Sequence, residues 1–291
     1  MLFPCNNDSN NNNSNNNNSN NNSSNNNSSN DINKLLDNKK INAIQIMFSK
    51  KHITSDEIKN IHKQIKKFKY SYVHSSFKIN IGSELFVTND GLFNNSINLL
   101  VEEILYSNKL NANGIIVHLG KNTRKQYNES IVYNNMILNI TELFNKLKKL
   151  KKIKIPILIE TSSGQGGEMC YDLKDFVNFI ISFKNTYFYE YIGICIDTCH
   201  IYQAGYDINN DEIIKKVHKI LYPIKNKIKL IHLNSSLKNL GMHIDKHAPI
   251  GEGYIKTKQL VKFVLPYKKI PMILETNPPY LKQIDLLNSN Y

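Results

Sequence analysis

Seven short apolar runs recur along the chain, and they constrain its fold more than any other feature. The runs are Ala43–Phe48, Tyr70–Val73, Gly114–Val117, Pro156–Ile159, Tyr191–Ile196, Lys229–Ile231 and Pro271–Leu274. Their apolar residues are successive rather than alternating, which is typical of strands covered on both faces of a parallel sheet. Stretches with apolar residues every three or four positions lie between many of them and predict helices. This alternation of strands and helices predicts an α/β fold.

An eight-stranded TIM (β/α)8 barrel explains the pattern if one more strand joins the seven. The only candidate is Met1–Phe3, which is very short and is followed by Pro4. We therefore expect the first strand to be degenerate or displaced by the segment that follows it. A doubly wound sheet is the alternative, although no Gly-rich phosphate loop follows the first strand to support it.

The segment that follows, residues 6–30, is of low complexity. It consists of 17 Asn, 7 Ser and one Asp. Without apolar surface to bury, it cannot offset the entropy lost on ordering, so we expect residues 1–30 to be disordered. The folded domain is predicted to span residues 31–291, a length of about 260 residues that suits one barrel.

The composition favours an intracellular protein with a polyanionic partner. The chain has 37 basic and 24 acidic residues and a formal net charge of +13. Such an excess favours nucleic acid, although codon bias in an A/T-rich genome would also enrich lysine. Four cysteines do not make a disulfide scaffold in a chain of this length. We expect no membrane span and no secretory signal, because the chain lacks the long apolar run that each requires.

Chemically active side chains follow six of the seven predicted strands. They are His74, His118, Glu160, Asp197, His232 and Glu275. The carboxyl ends of parallel barrel strands open on one face, so these side chains are expected to converge there. Unpaired carboxylates and imidazoles are costly to cluster unless a cation compensates them.

Three further residues extend this set to nine possible metal ligands. His200 follows Asp197 by three positions, and Asp245 and His247 alternate in a predicted loop. One zinc ion takes about four ligands, so nine suit three metals better than one. Mixed imidazole and carboxylate donors favour zinc, with manganese or iron as competitors.

Two cysteines and four further histidines are interpreted as residues that bind no metal. Cys195 is expected in the core and Cys199 is interpreted as a small, semi-buried residue rather than a ligand. The other histidines are expected at the surface. They are His52, His62, His218 and His243.

With these nine residues in place, the chain resembles the endonuclease IV family of apurinic/apyrimidinic endonucleases. The similar segments lie in family order between residues 43 and 277. They are Phe48-Ser-Lys, Val73-His-Ser-Ser-Phe77, His118-Leu-Gly, Ile159-Glu-Thr-Ser-Ser-Gly-Gln-Gly166, Cys195-Ile-Asp-Thr-Cys-His-Ile-Tyr-Gln-Ala-Gly-Tyr-Asp207, Ile231-His-Leu-Asn234, Asp245-Lys-His, Gly251-Glu-Gly253 and Ile273-Leu-Glu-Thr276. The resemblance implies a TIM barrel with three zinc ions.

The resemblance also implies how the nine ligands are shared. His74, His118 and Glu160 would hold the first zinc, and Glu160 would bridge to the second. Asp197, His232 and Glu275 would complete the second site. His200, Asp245 and His247 would hold the third. Glu160 and Glu275 would be the catalytic residues, the former beside the nucleophile and the latter helping to orient it.

The implied activity is base-excision repair of double-stranded DNA. The family cuts the phosphodiester 5′ to an abasic site, leaves a 3′-hydroxyl and a 5′-deoxyribose phosphate, and trims blocked 3′ ends. The sequence departs from the family where DNA is contacted, because Phe77 and Lys78 replace a Tyr and an apolar residue and Lys246 replaces an Arg. We expect these three residues to contact DNA. Ser235 also replaces a usual Asp, and Met1–Cys5 lacks the family's opening Gly-Ala-His-Val-Ser.

Two alternatives remain at this stage. A divalent-metal sugar isomerase or epimerase on the same barrel would use a set like Glu160, Asp197, His232 and Glu275, but would not need the other five ligands. An inactive DNA-binding relative would be expected to lack a ligand, and none is missing. We expect a monomer that is not secreted and acts where DNA is replicated or repaired, in the nucleus or cytoplasm, or in the viral factory or virion if the protein is viral.

Overall fold

A parallel seven-stranded sheet forms the centre of the molecule. The computed structural model describes residues 41–48, 54–88, 91–123 and 128–291. The strands of this sheet are β1 (Ala43–Met47), β2 (Tyr70–His74), β3 (Gly114–Val117), β4 (Ile157–Glu160), β5 (Ile192–Asp197), β6 (Ile228–His232) and β7 (Met272–Ile273). They lie in chain order. All seven predicted strands are therefore confirmed.

The sheet curls into a nearly closed barrel. Each strand pairs in parallel with the next, from Ala43 opposite Tyr70 to Ile273 opposite His232. The last strand, β7, lies beside β1. The predicted TIM barrel is thus confirmed. The candidate strand Met1–Phe3 and the Asn/Ser tract lie outside the described residues.

Eight α-helices occur within the described part of the chain. They are α1 (Ser55–Ile65), α2 (Asn95–Lys109), α3 (Glu129–Lys149), α4 (Leu173–Ser182), α5 (Thr198–Gln203), α6 (Asp211–Leu221), α7 (Thr257–Val264) and α8 (Tyr280–Asn288). None of these helices combines the length and apolar character that crossing a bilayer requires.

Local sequence explains where several helices begin. Thr54 and Glu57 form a reciprocal capping box at the start of α1, an arrangement that satisfies two backbone amides of the first turn. The side chain of Asn94 caps α2 by accepting from the backbone amide of Ile97. Asp197 caps α5 in the same way, through the amide of His200. The cap of α5 therefore fixes two predicted metal ligands relative to each other.

The hydrophobic core lies mainly between the barrel and its helices. A second, smaller apolar cluster fills the inside of the barrel and takes one residue from each strand. Its members are Ala43, Tyr72, Ile116, Leu158, Cys195, Leu230 and Ile273. Cys195 is therefore a core residue, as predicted. We call this set the apolar layer, and it forms the floor beneath the candidate site.

Two small antiparallel pairs lie outside the barrel. One pair follows β2 and joins Phe86–Thr88 to Gly91–Phe93. This pair was not predicted from the sequence. Ser235–Ser236 pairs with His247–Ala248 in the long segment after β6. The second pair brings a predicted ligand, His247, back toward the mouth of the barrel.

Candidate metal centre

A polar layer lies directly above the apolar layer. Side chains two residues apart on a strand point to the same face, so each strand carries the next inward-facing residue two positions beyond its apolar-layer member. These residues are Gln45, His74, His118, Glu160, Asp197, His232 and Glu275. Six of the seven are the predicted strand-end ligands. Their convergence thus follows from the barrel itself.

Glu160 divides its two carboxylate oxygens between two groups of donors. Its Oε2 lies 3.4 Å from Nε2 of His74 and 3.4 Å from Nε2 of His118. Its Oε1 lies 2.7 Å from Nδ1 of His232, which is also 2.9 Å from Oε2 of Glu275. Asp197 completes the second group, in which Oδ2 is 3.8 Å from the same His232 nitrogen. In each group the potential ligand atoms all lie within 4.8 Å of one another.

The third group lies beside the other two. Oδ1 of Asp245 is 3.1 Å from Nε2 of His200 and 3.0 Å from Nε2 of His247. His200 is in the first turn of α5, and the other two residues come from the segment after β6. All nine predicted ligands therefore meet in three adjoining groups, with the membership that the resemblance implies.

The hydrogen bonds of the imidazoles fit a metal centre. Nδ1 of His74, His200 and His247 lies 2.7–3.1 Å from the backbone carbonyls of Ser75, Thr161 and Glu275, respectively. Each carbonyl can only accept, so Nδ1 carries a proton, and in the neutral ring Nε2 presents its lone pair to the centre, as metal ligands require.

Two of these nitrogens show most clearly that a cation fits. Nε2 of His200 and Nε2 of His247 are buried and make no well-aligned hydrogen bond among the described residues, although Oδ1 of Asp245 lies 3.1 and 3.0 Å from them. Buried polar atoms without partners are uncommon because desolvation is costly. A cation held between them and Asp245 would satisfy both. Imidazole and carboxylate donors are those that zinc prefers.

Burial and neighbouring charges have opposite effects on the ionisable groups of the centre. Burial disfavours a charged Glu160, but the imidazoles of His118 and His232 hold its pKa well below the usual range. Burial also disfavours a charged His247, yet Asp197 and Asp245 outweigh it and raise the pKa of His247 to about 9. Without a cation, the imidazole of His247 therefore takes up a proton that compensates the carboxylates, as do those of His200 and His232, whose pKa values are also raised. Binding of a cation would release those protons.

Buried amides and hydroxyls support the ligands from outside. Asn234 donates to Oδ2 of Asp197 over 2.7 Å, and its own Oδ1 accepts from the backbone amide of Glu275 over 2.8 Å. The hydroxyl of Thr161 accepts from the amide of Asp197 over 3.0 Å. Gln165 accepts from the amide of Asp245 over 2.9 Å.

Another buried amide, Gln203, holds the segment that carries Asp245 and His247. Its side chain donates to the hydroxyl of Ser236 and to the carbonyls of Lys238 and Asn239. No role was predicted from the sequence for Thr161, Gln165, Gln203 or Asn234. All four lie inside the segments that resemble the family, which is the signal that could have found them.

The two cysteines near the centre are protonated core residues. Burial raises the pKa of Cys195 to about 12 and raises that of Cys199 as well. Cys199 is fully buried, deeper than the semi-buried position expected, and its Sγ lies 3.7 Å from the carbonyl oxygen of Lys246. Each thiol could join a donor group by distance. Their high pKa values favour the imidazoles and carboxylates as ligands instead.

The prediction of surface histidines was partly wrong. His62, His218 and His243 are half-buried, and each has a ring nitrogen 2.9–3.0 Å from a backbone carbonyl. They are therefore structural residues. His52 lies outside the described residues.

The three predicted DNA-contact residues lie at the rim of the centre. Phe77 is 62% exposed, and its ring centroid is 5.5 Å from those of His74 and His118. Lys78 and Lys246 are exposed. Ser235 has a different role: its hydroxyl is 3.1 Å from both the backbone nitrogen and the carbonyl of Ile255. Ser235, which replaces the usual Asp of the family, thus holds the segment after β6 in place through two hydrogen bonds to its backbone.

Comparisons with known proteins agree with this geometry. Residues 38–289 match the family described as "Xylose isomerase-like TIM barrel". The "Probable endonuclease 4" of Mycoplasma mycoides subsp. mycoides is 31% identical over 75% of this chain and 74% of its own length. That of Mesomycoplasma hyopneumoniae is 34% identical over 74% of each.

Solved structures show the same fold. Endonuclease IV from Thermus thermophilus superposes with a TM-score of 0.64 at 20% identity, covering 89% of this chain and 92% of that one. A D-tagatose 3-epimerase-like protein superposes with a TM-score of 0.65 at 17% identity, covering 86% and 88%. The fold alone does not separate nuclease from epimerase, but the sequence relatives do. The chain belongs to the endonuclease IV family, on a xylose isomerase-like TIM barrel.

Proposed function

We propose that this protein is a zinc-dependent DNA-repair endonuclease. It hydrolyses the phosphodiester on the 5′ side of an abasic site, leaving a 3′-hydroxyl and a 5′-deoxyribose phosphate, and also removes blocked 3′ ends. The observation that carries this proposal is the set of three adjoining donor groups, two of which share Glu160. We further propose that it acts as a monomer, inside the cell.

The donor groups suit phosphodiester chemistry. Divalent cations held there supply a nucleophile at neutral pH and neutralise the charge that builds on the phosphate. The contribution of the chain is to fix the donors close together. Glu160 does so with one oxygen in each of two groups, and Glu275 directs Oε2 toward the second. We assign the catalytic roles to these two carboxylates for that reason.

The rim supports DNA as the substrate. The exposed ring of Phe77 beside His74 and His118 offers a stacking surface directly above the first group. An abasic nucleotide has no base pair to lose, so turning it out of the helix toward such a site costs least. Lys78 and Lys246 are placed to meet phosphates, in keeping with the net charge of +13.

A sugar epimerase is the second candidate. The observation that favours it is the group formed by Glu160, Asp197, His232 and Glu275, together with the fold likeness to the epimerase-like protein. This group leaves the third group and the first-group imidazoles without a use. We therefore place the nuclease first.

Incision of a defined duplex tests the proposal. A labelled duplex with one abasic site should be cut by the zinc-loaded protein and left intact after chelation. Extension of the product by a polymerase would identify the 3′-hydroxyl. Glu160→Gln should abolish cutting, whereas Glu212→Gln, the same change at an exposed position on α6, should not. An uncut duplex with intact, zinc-loaded protein would refute the nuclease, and conversion of a ketohexose would favour the epimerase.

A further inference from the structure

Gln45 is the member of the polar layer that the resemblance does not assign. It lies on β1, two residues beyond Ala43 of the apolar layer, at the position where the other six strands supply a ligand. Its side chain is 1% exposed in the middle of an otherwise apolar strand. A buried amide in such a place requires hydrogen-bond partners, and those partners show what it does.

Two of its partners are metal ligands of the second group. Nε2 of Gln45 donates to Oε1 of Glu275 over 2.6 Å. Oε1 of Gln45 lies 2.8 Å from Nε2 of His232. A carboxylate has no hydrogen to give, so the amide nitrogen must face Glu275 and the amide oxygen must face His232. Nε2 of the imidazole can then only donate, so it carries a proton. Nδ1, which faces Glu160 and Glu275, is the nitrogen left for a cation.

This hydrogen bond makes His232 different from three other imidazoles of the centre. Backbone carbonyls hold the proton of His74, His200 and His247 on Nδ1. In His232 it is Nδ1 that faces Glu160 and Glu275, at 2.7 and 2.9 Å. His232 thus presents the opposite nitrogen, and Gln45 is the side chain that selects it.

We propose that Gln45 is a positioning residue that assembles the second metal site. The amide oxygen of Gln45 fixes the Nε2–H tautomer of His232. The amide nitrogen of the same group holds Oε1 of Glu275, so that Oε2 of Glu275 remains available as a ligand. This inference rests on the proposed metal centre and names no contact with substrate. Partners of this kind commonly change metal affinity by about 10–100-fold when removed.

Gln45→Met tests the inference, because it keeps the length of the side chain and removes both hydrogen bonds. Competition with a chromophoric zinc chelator should show one zinc bound at least about 10-fold more weakly and the other two unchanged. Gln64→Met is the matched control, since Gln64 is exposed on α1. Unchanged affinity for all three ions in a folded Gln45→Met variant would overturn the proposal.

A second measurement needs no variant. Nitrogen-15 NMR of histidine-labelled, zinc-loaded protein should show His232 protonated on Nε2, with His74, His200 and His247 protonated on Nδ1. A proton on Nδ1 of His232 would overturn the proposal even if Gln45→Met failed to fold. Neither readout depends on DNA cleavage. A zinc-binding protein that cuts no abasic DNA would refute the proposed function and leave the role of Gln45 standing.

Discussion

Raising the pH of the zinc-free protein removes the proton that compensates the third donor group. The pKa of His247 is about 9 instead of 6.5, because Asp197 and Asp245 outweigh the effect of burial. A group whose pKa is raised by folding stabilises the protein fully below its unfolded value, and this stabilisation is lost as the pH rises through its folded value. Raising the pKa of His247 from 6.5 to about 9 corresponds to about 3 kcal/mol of stability. Most of this should disappear between pH 6.5 and 9.

Urea unfolding of the chelated protein measures this loss. The free energy of unfolding should fall more steeply between pH 6.5 and 9 for the unaltered protein than for His247→Gln, and the difference should approach 3 kcal/mol. His218→Gln is the control, because burial shifts the pKa of His218 in the opposite direction, below its usual value. Parallel curves for the unaltered protein and His247→Gln would refute the electrostatic reasoning.

Four further substitutions test DNA contact and ligand support separately. Phe77→Ala should weaken binding to abasic duplex by about 1–3 kcal/mol, the value of one stacking contact, with zinc content unchanged; equal binding would exclude stacking. Lys78→Ala and Lys246→Ala should each reduce the salt dependence of binding by about one counterion, as a titration of log Kd against log salt would show. Asn234→Ala should lower the free energy of unfolding by about 1–3 kcal/mol, because it strips a hydrogen bond from buried Asp197; an unaltered urea midpoint would contradict this.

Much of the fold was predictable because the strands and helices of a barrel each require a distinct spacing of apolar residues. Strands buried on both faces must be continuously apolar, so all seven were found, as were the helices carrying regular apolar spacing. The ligands were predictable for a related reason. The same strands end in His, Asp or Glu, and parallel strands bring their carboxyl ends together.

What was missed depends on contacts that no local pattern encodes. Gln45 precedes the end of β1 and its partners are 187 and 230 residues away, so only the closed barrel reveals them. The half-buried state of His62 likewise comes from the distant carbonyl of Leu110. Gln45 lies two residues after Ala43 of the apolar layer, and counting forward from that layer would have pointed to it. The layer itself is recognised only from the packing between strands. The pair formed by Phe86–Thr88 and Gly91–Phe93 lies in the connection after β2, where the sequence is least constrained by the core.

The number of zinc ions per chain tests the central claim most directly. Elemental analysis of purified, catalytically competent protein should give three zinc ions per chain, since three donor groups converge at the mouth of the barrel. The same measurement on Asp245→Asn should give two, because Asp245 joins the imidazoles of the third group alone. A value near one for the unaltered protein would contradict the account.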